Sequence, residues 1–166
     1  MQVTFKGKPI EIQGNPVQVG EQIPDVQMKN GQGELVSLHD LLKGKVTVLS
    51  VVPDVLTRTC ELQTKHFQDA TKDKGYQFIT ASRNSVDEFN QWNRDNQLNV
   101  ASLSDTNQEF GQAMGIEIDL GGKTVLTRSV FVVDPELHIV YAQYVPEIAE
   151  EPDYEPVLTV ADQIKE

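Results

Sequence analysis

"VTVLSVVPDVLTRTC", Val46 to Cys60, decides how the rest of the chain reads. Its first seven residues are apolar apart from one threonine and one serine, and most are β-branched. A continuous apolar run, rather than an alternating one, fits a central strand covered on both faces and favours an α/β or mixed three-layer arrangement. Pro53 ends that strand. Glu61 to Lys74 then places Leu62, His66, Phe67 and Ala70 close to helical spacing, with Gly75 after the last turn. Cys60, the only cysteine in the chain, therefore falls in the first turn of a helix that follows a central strand by one short connection.

Working outward, the first twenty residues alternate as "VTFKG", "IEIQG" and "VQVG". They read as an N-terminal β-hairpin, with reversals at Gly7-Lys8-Pro9 and Gly14-Asn15-Pro16. A polar stretch with Asn30, Gly31 and Gly33 follows, then a short helical or turn segment near Ser37 to Leu42. Beyond the cysteine, Tyr76 to Ser82 has strand character. Ser85 with Glu88 resembles a capping box opening a helix with Val86, Phe89 and Trp92 on one face. Val100 to Leu103 is a short strand, and Thr106 with Glu109 reads as a second cap ahead of Phe110 and Met114, stopped by Gly115. "TVLTRSVFVVD" and "HIVYAQYV" read as two strands joined at Asp134-Pro135-Glu136-Leu137, forming a hairpin at one side of the sheet. Tyr154, Val157, Leu158, Ala161 and Ile164 mark a last helix, with Asp153 as its cap. No repeat or long polar linker divides the chain, so residues 1–166 are expected to form one domain.

Composition narrows the function. Of 166 residues, 39% are hydrophobic and 23% charged, as in ordinary soluble globular proteins. The net charge of -11 argues against non-specific binding of nucleic acid or anionic membrane, which needs basic surface to neutralise phosphate. "MQVTFKGKPI" lacks the apolar core of a secretory signal, and a soluble, cytoplasmic protein is expected. One cysteine allows neither an internal disulfide nor a CxxC site. Any redox cycle must be completed by a thiol from elsewhere.

With Thr57 as the cap, Cys60 is the third helical residue, where unpaired backbone N–H groups and the positive end of the peptide dipoles converge. That place stabilises a thiolate, the nucleophilic form of sulfur. Arg58 either adds positive charge nearby or points to solvent. The same residue types also allow an inert reading, because free cysteines often serve as small buried hydrophobes.

Pro53, Thr57 and Cys60, spaced P-x-x-x-T-x-x-C after an apolar strand, resemble the peroxidatic signature of the peroxiredoxins. "KVTVLSVVPDVLTRTCELQTKHF", the N-terminal hairpin, "TRSVFVVD" and "VPEIAEEPDYEPVL" are together similar to the bacterial thiol peroxidase subfamily. The resemblance implies a thioredoxin-like fold, a mixed central sheet flanked by helices with the added hairpin. It also implies homodimers and reduction of hydroperoxides without metal or haem. Carried over, Cys60 is the peroxidatic cysteine and Thr57 the hydroxyl that hydrogen-bonds the attacked peroxide. Pro53 shields the thiolate, and Arg128 holds thiolate and peroxide oxygen. Thr57, Arg128 and the Cys60 N–H are then the donors that meet charge developing on the departing oxygen. The subfamily's resolving cysteine belongs in the helix "SVDEFNQWNRDNQ", where Trp92 occupies the expected place. Reduction of Cys60 therefore falls to a small thiol, to a thioredoxin-like reductant, or to a route through an intermolecular mixed disulfide.

Trp92 shares a helix face with Phe89, which suits packing in the core or at a dimer interface, or a π surface for an organic hydroperoxide. His39, His66 and His138 have no partner at metal-ligand spacing, and Gly31-Gln32-Gly33 and Gly121-Gly122 lack phosphate-loop patterns. The alternative from a different class is a non-enzymatic redox sensor or protein-interaction module on a peroxiredoxin frame.

Overall fold

The computed structural model describes residues 1–98 and 100–165. In chain order the strands and helices are β1 (Gln2–Phe5), β2 (Lys8–Glu11), β3 (Gln27–Lys29), β4 (Leu35–Ser37), α1 (Leu38–Leu42), β5 (Thr47–Val51), α2 (Arg58–Thr71), β6 (Gln77–Ser82), α3 (Val86–Asp95), β7 (Ala101–Ser104), α4 (Glu109–Met114), β8 (Glu117–Leu120), β9 (Lys123–Leu126), β10 (Ser129–Val133), β11 (Ile139–Tyr144) and α5 (Tyr154–Lys165).

The main sheet has seven strands in the order β11-β10-β5-β6-β7-β3-β4. Strands β5, β6 and β7 run parallel, and β10 lies antiparallel to β5. Every residue of β5 is buried, as its continuous apolar character predicts. Its side chains serve two layers: Leu49 and Val51 pack with Leu38, Leu42, Phe110 and Met114 of α1 and α4. Val48 packs on the opposite face with Phe67 of α2 and Val157 and Ala161 of α5. This is a thioredoxin-like α/β fold, a mixed sheet flanked by helices. The N-terminal hairpin β1–β2 packs against β8 and the segment near Ile148 through Val3, Ile12, Ile118 and Ile148. Among the described residues, no helix is long and apolar enough to cross a membrane.

Several local expectations need correction. Helix α2 begins at Arg58, as the Thr57 cap implies, but its buried stripe is Cys60, Gln63, Thr64, Phe67 and Thr71. His66 is exposed and Leu62 only half-buried. The stripe tolerates polar groups because each is paired: Thr64 and Thr71 donate their hydroxyls to the carbonyls of Cys60 and Phe67 at 2.9 and 2.7 Å. The polar segment before α1 forms the hairpin β3–β4 on the far edge of the sheet, too short for period-two alternation to register. The "TVLTRSVFVVD" stretch is interrupted, since Lys123–Leu126 pairs with β8 and only Ser129–Val133 joins the main sheet.

The capping box at Ser85 and Glu88 forms, but the one expected at Thr106 does not. Gln108 is the N-cap of α4, in left-handed backbone and without a capping bond. The Asp105 carboxylate instead accepts from the N–H groups of Phe110 and Gly111, both at 2.9 Å. Gly115 stops α4 at a φ of 68°.

Candidate active site

The chain leaves β5 through Val52, whose N–H donates to the Ala81 carbonyl at 3.1 Å, and turns at Pro53. The turn closes on Asp54. Its carbonyl accepts from the Thr57 N–H at 3.1 Å and from the Thr57 hydroxyl at 2.9 Å, while its carboxylate accepts from the Leu56 N–H at 3.0 Å. Thr57 then occupies the N-cap of α2 with extended backbone, and its carbonyl accepts the Glu61 N–H at 3.1 Å. Its side chain makes no capping bond; the hydroxyl donates to the Asp54 carbonyl instead. With the proton directed to that carbonyl, the hydroxyl oxygen retains its capacity to accept.

Cys60 is the third residue of α2 and is fully buried. Among the described residues its N–H has no hydrogen-bond partner, so one of the orphan donors of the helix start lies at the cysteine itself. The side chain packs in a cluster with Val52, Val55, Phe89, Trp92 and Val100. Trp92, at the place expected of a resolving cysteine, thus shares the cluster that encloses the thiol. Arg58 turns away, with its side chain 75% exposed and paired to Glu61 at 3.1 Å. Lys65, at 2.8 Å, and Arg58 together hold the Glu61 carboxyl below its ordinary range.

Arg128 lies between β9 and β10 rather than within a strand. It is almost wholly buried and points inward, with Nε donating to the Ile148 carbonyl and Nη1 to Gln63 Oε1, both at 2.8 Å. Gln63 in turn donates to Ser50 Oγ at 2.7 Å. Gln63, absent from the residues expected at the site, thus links Arg128 to β5. Its signal was its spacing, three residues after Cys60 on the same helix face. Thr59 fixes the first turn of α2 to the same region, donating to the Ala149 carbonyl at 3.0 Å.

Pro53, Thr57 and Arg128 line a single cavity of about 360 Å³, together with Thr59 and an apolar wall that includes Phe5, Val125 and Ile148. Four separate stretches of chain supply this surface: the hairpin, the β5–α2 turn, the β8–β10 region and residues 148–149. Cys60 is absent from the lining. It sits one turn below Thr57, inside the helix end that forms part of the wall. The hydrogen bonds of Thr57 and Arg128 among the described residues go to Asp54, Ile148 and Gln63, not to the thiol.

The segment that receives Arg128 is itself held by Glu147. Its carboxylate accepts from the N–H groups of Ala149, Gly7 and Lys6 and from the Thr4 hydroxyl. These donors, led by Ala149 and Gly7, bring its pKa down to about 2. Among the described residues no three His, Cys, Asp or Glu side chains are grouped to hold a metal ion.

Residues 18–158 match the redoxin family. The chain is 37% identical over 163 residues to the thiol peroxidase of Bacillus subtilis, covering 96% of each chain. The chain belongs to the redoxin family, among the thiol peroxidases of the peroxiredoxin type. The thiol peroxidase of Oceanobacillus iheyensis is similar at 38% identity over 160 residues, covering 95% of this chain and 96% of that one. A crystal structure of a peroxiredoxin-like protein from Aquifex aeolicus superposes with a TM-score of 0.90 at 27% identity, covering 98% of this chain and 96% of the other. The thiol peroxidase from Chromobacterium violaceum shares the fold, with a TM-score of 0.90 at 12% identity over 100% of this chain and 98% of that one. As a peroxiredoxin, this chain is an enzyme of the thiol peroxidase class whose redox function runs on a single cysteine.

Proposed function

We propose that Cys60 reduces hydrogen peroxide and organic hydroperoxides at the cavity formed by Pro53, Thr57 and Arg128, and that an external thiol completes the cycle. The observation that carries this reading is the convergence of those three residues on one cavity that also takes in Thr59, the residue before the only thiol. The Cys60 thiolate attacks one peroxide oxygen, the O–O bond breaks, and the departing alkoxide takes a proton to leave as alcohol or water. Sulfur is oxidised to sulfenic acid as the peroxide is reduced. Thr57 accepts the hydrogen bond of the peroxide O–H, because its own proton is held by Asp54. Arg128 supplies N–H donors beyond the two bound to Ile148 and Gln63, and the Cys60 N–H adds another, where negative charge develops on the departing oxygen. Pro53 closes the pocket against bulk water.

A thiol then attacks the sulfenic sulfur, water leaves, and a second thiol releases Cys60 from the mixed disulfide. With Trp92 in place of a second cysteine, no partner for an internal disulfide exists in the sequence. We place the protein in the cytoplasm, as one domain that pairs into homodimers, with a small thiol or a thioredoxin-like protein as reductant.

Steady consumption of hydroperoxide by wild type with a small thiol or thioredoxin, lost in Cys60→Ser, is the expected result. Stoichiometric oxidation of Cys60 without turnover by either reductant would replace this reading with the redox-sensor alternative.

A further inference from the structure

We propose that Asn84 is a positioning residue for Thr57, acting through Asp54; the inference rests on the reading of Thr57 as the peroxide acceptor. Asn84 lies just past the carboxyl end of β6, the parallel neighbour of β5, and is only 8% exposed. Its side-chain oxygen accepts from the Val55 N–H at 2.9 Å and from the Ser82 hydroxyl. Its side-chain nitrogen donates to the Asp54 carboxylate at 3.0 Å. Its backbone is pinned as well, the N–H to Ser82 Oγ at 3.0 Å and the carbonyl by the Ser104 hydroxyl at 2.5 Å. One buried amide therefore grips two consecutive residues of the turn that carries Thr57, and is itself anchored to two adjacent strands, β6 and β7.

The grip is directional. A backbone N–H stands on one side of the amide and a carboxylate on the other, so only one of its two orientations satisfies both. A reversed amide would set NH₂ against the Val55 N–H and oxygen against the Asp54 carboxylate. Aspartate at 84 would keep the acceptor but lose the donor, and would put a second carboxylate beside Asp54.

From Asp54 the constraint passes to the hydroxyl. Asp54 is held at its carboxylate by Asn84 and by the Leu56 N–H, and its carbonyl receives both the N–H and the hydroxyl of Thr57. The direction of that carbonyl sets where the Thr57 proton points, and hence where its lone pairs face. Asn84 does not line the cavity with Arg128 and Thr57, so its effect is exerted through the turn and not by touching peroxide. Misplacement of a catalytic group by about 1 Å costs up to about a hundredfold in rate.

The test compares two electrophiles on Cys60 of wild type and Asn84→Ala: hydrogen peroxide, which needs the Thr57 acceptor, and iodoacetamide, which does not. The expected result is a peroxide rate lowered by about tenfold or more, with the iodoacetamide rate changed by less than about twofold. Asn84→Asp should show the same split. A merely structural role would loosen the packed helix end and raise alkylation. Unchanged peroxide rates, equal proportional changes with both reagents, or faster alkylation would each overturn the proposal. If Asn84→Ala fails to fold, Asp54→Ala breaks the same relay at a half-buried position and is held to the same split. A wild type inert to peroxide would instead defeat the proposed function, whereas a reactive wild type with an equally reactive Asn84→Ala defeats this inference alone.

Discussion

Replacing Arg128 by glutamine should separate two roles that the side chain combines. Arg128 donates to the Ile148 carbonyl and to Gln63 Oε1, both at 2.8 Å, in a buried setting. Hydrogen bonds to charged groups contribute about 1.5–3 kcal/mol each, and a buried acceptor left unpaired costs about 1–3 kcal/mol. Glutamine is shorter and can restore at most part of this pair, so a stability loss of about 3 kcal/mol is expected, read as a fall in urea midpoint. The second role concerns the guanidinium N–H groups beyond those two. Removing one donor aimed at developing negative charge typically lowers a rate by about 10²–10³. Stopped-flow mixing with hydrogen peroxide is the assay, with the fluorescence of Trp92, the only tryptophan and a member of the Cys60 cluster, as signal. Arg128→Lys keeps the charge but cannot reproduce the fork, and should fall between wild type and Arg128→Gln. An Arg128→Gln protein that is folded and oxidised within about threefold of the wild-type rate would refute the reasoning.

Trp92→Ala should destabilise the protein by about 3–5 kcal/mol, as expected for emptying a buried aromatic site. It should leave the ratio of rates for hydrogen peroxide and an alkyl hydroperoxide unchanged, because Trp92 belongs to the buried cluster around Cys60 and does not line the cavity. A shifted ratio would return the indole to the substrate path. Glu147 carries a pH signature: its pKa falls from 4.5 to about 2 on folding, so its contribution to stability is present above 4.5 and lost as pH drops towards 2. Wild type should therefore be more stable than Glu147→Gln near neutrality, and the two unfolding midpoints should converge in acid; a constant gap would contradict the assignment. Gly115→Ala should lower the melting temperature, since the added Cβ meets the Asn15 backbone and Gly115 has a positive φ. Left-handed backbone alone costs a non-glycine residue about 1–2 kcal/mol.

The fold was legible wherever one physical signal dominated. The unbroken apolar run of β5, the Ser85–Glu88 capping box, the periodic apolar face of α5 and the turn at Asp134 each have a single local cause. Legibility failed where tertiary pairing set the outcome. β3 and β4 have three residues each, and their pairing depends on the sheet edge offered by β7. The continuous β propensity of Lys123 to Val133 hid the break at Arg128, because the two halves pair with different partners.

At the candidate site, helix position singled out Cys60, the resemblance to the peroxiredoxins brought in Pro53, Thr57 and Arg128, and those last three meet at one cavity. The direction of the Thr57 hydroxyl was not legible, since it depends on which acceptor folding supplies. Nor was Asn84, because nothing local marks an asparagine after a strand as buried, and Gln63 was marked only by its spacing from Cys60. Both are polar groups whose burial is tolerated only because distant chain segments supply complementary partners.

The most direct test of the central claim is the rate at which one equivalent of hydrogen peroxide oxidises Cys60 in the wild-type protein, with the sulfenic acid trapped by dimedone and located by peptide mapping. Oxidation on the order of a thousandfold faster than that of free cysteine at the same pH, the scale that positioned donors supply, is expected, with the adduct on Cys60. A rate equal to that of free cysteine would contradict it.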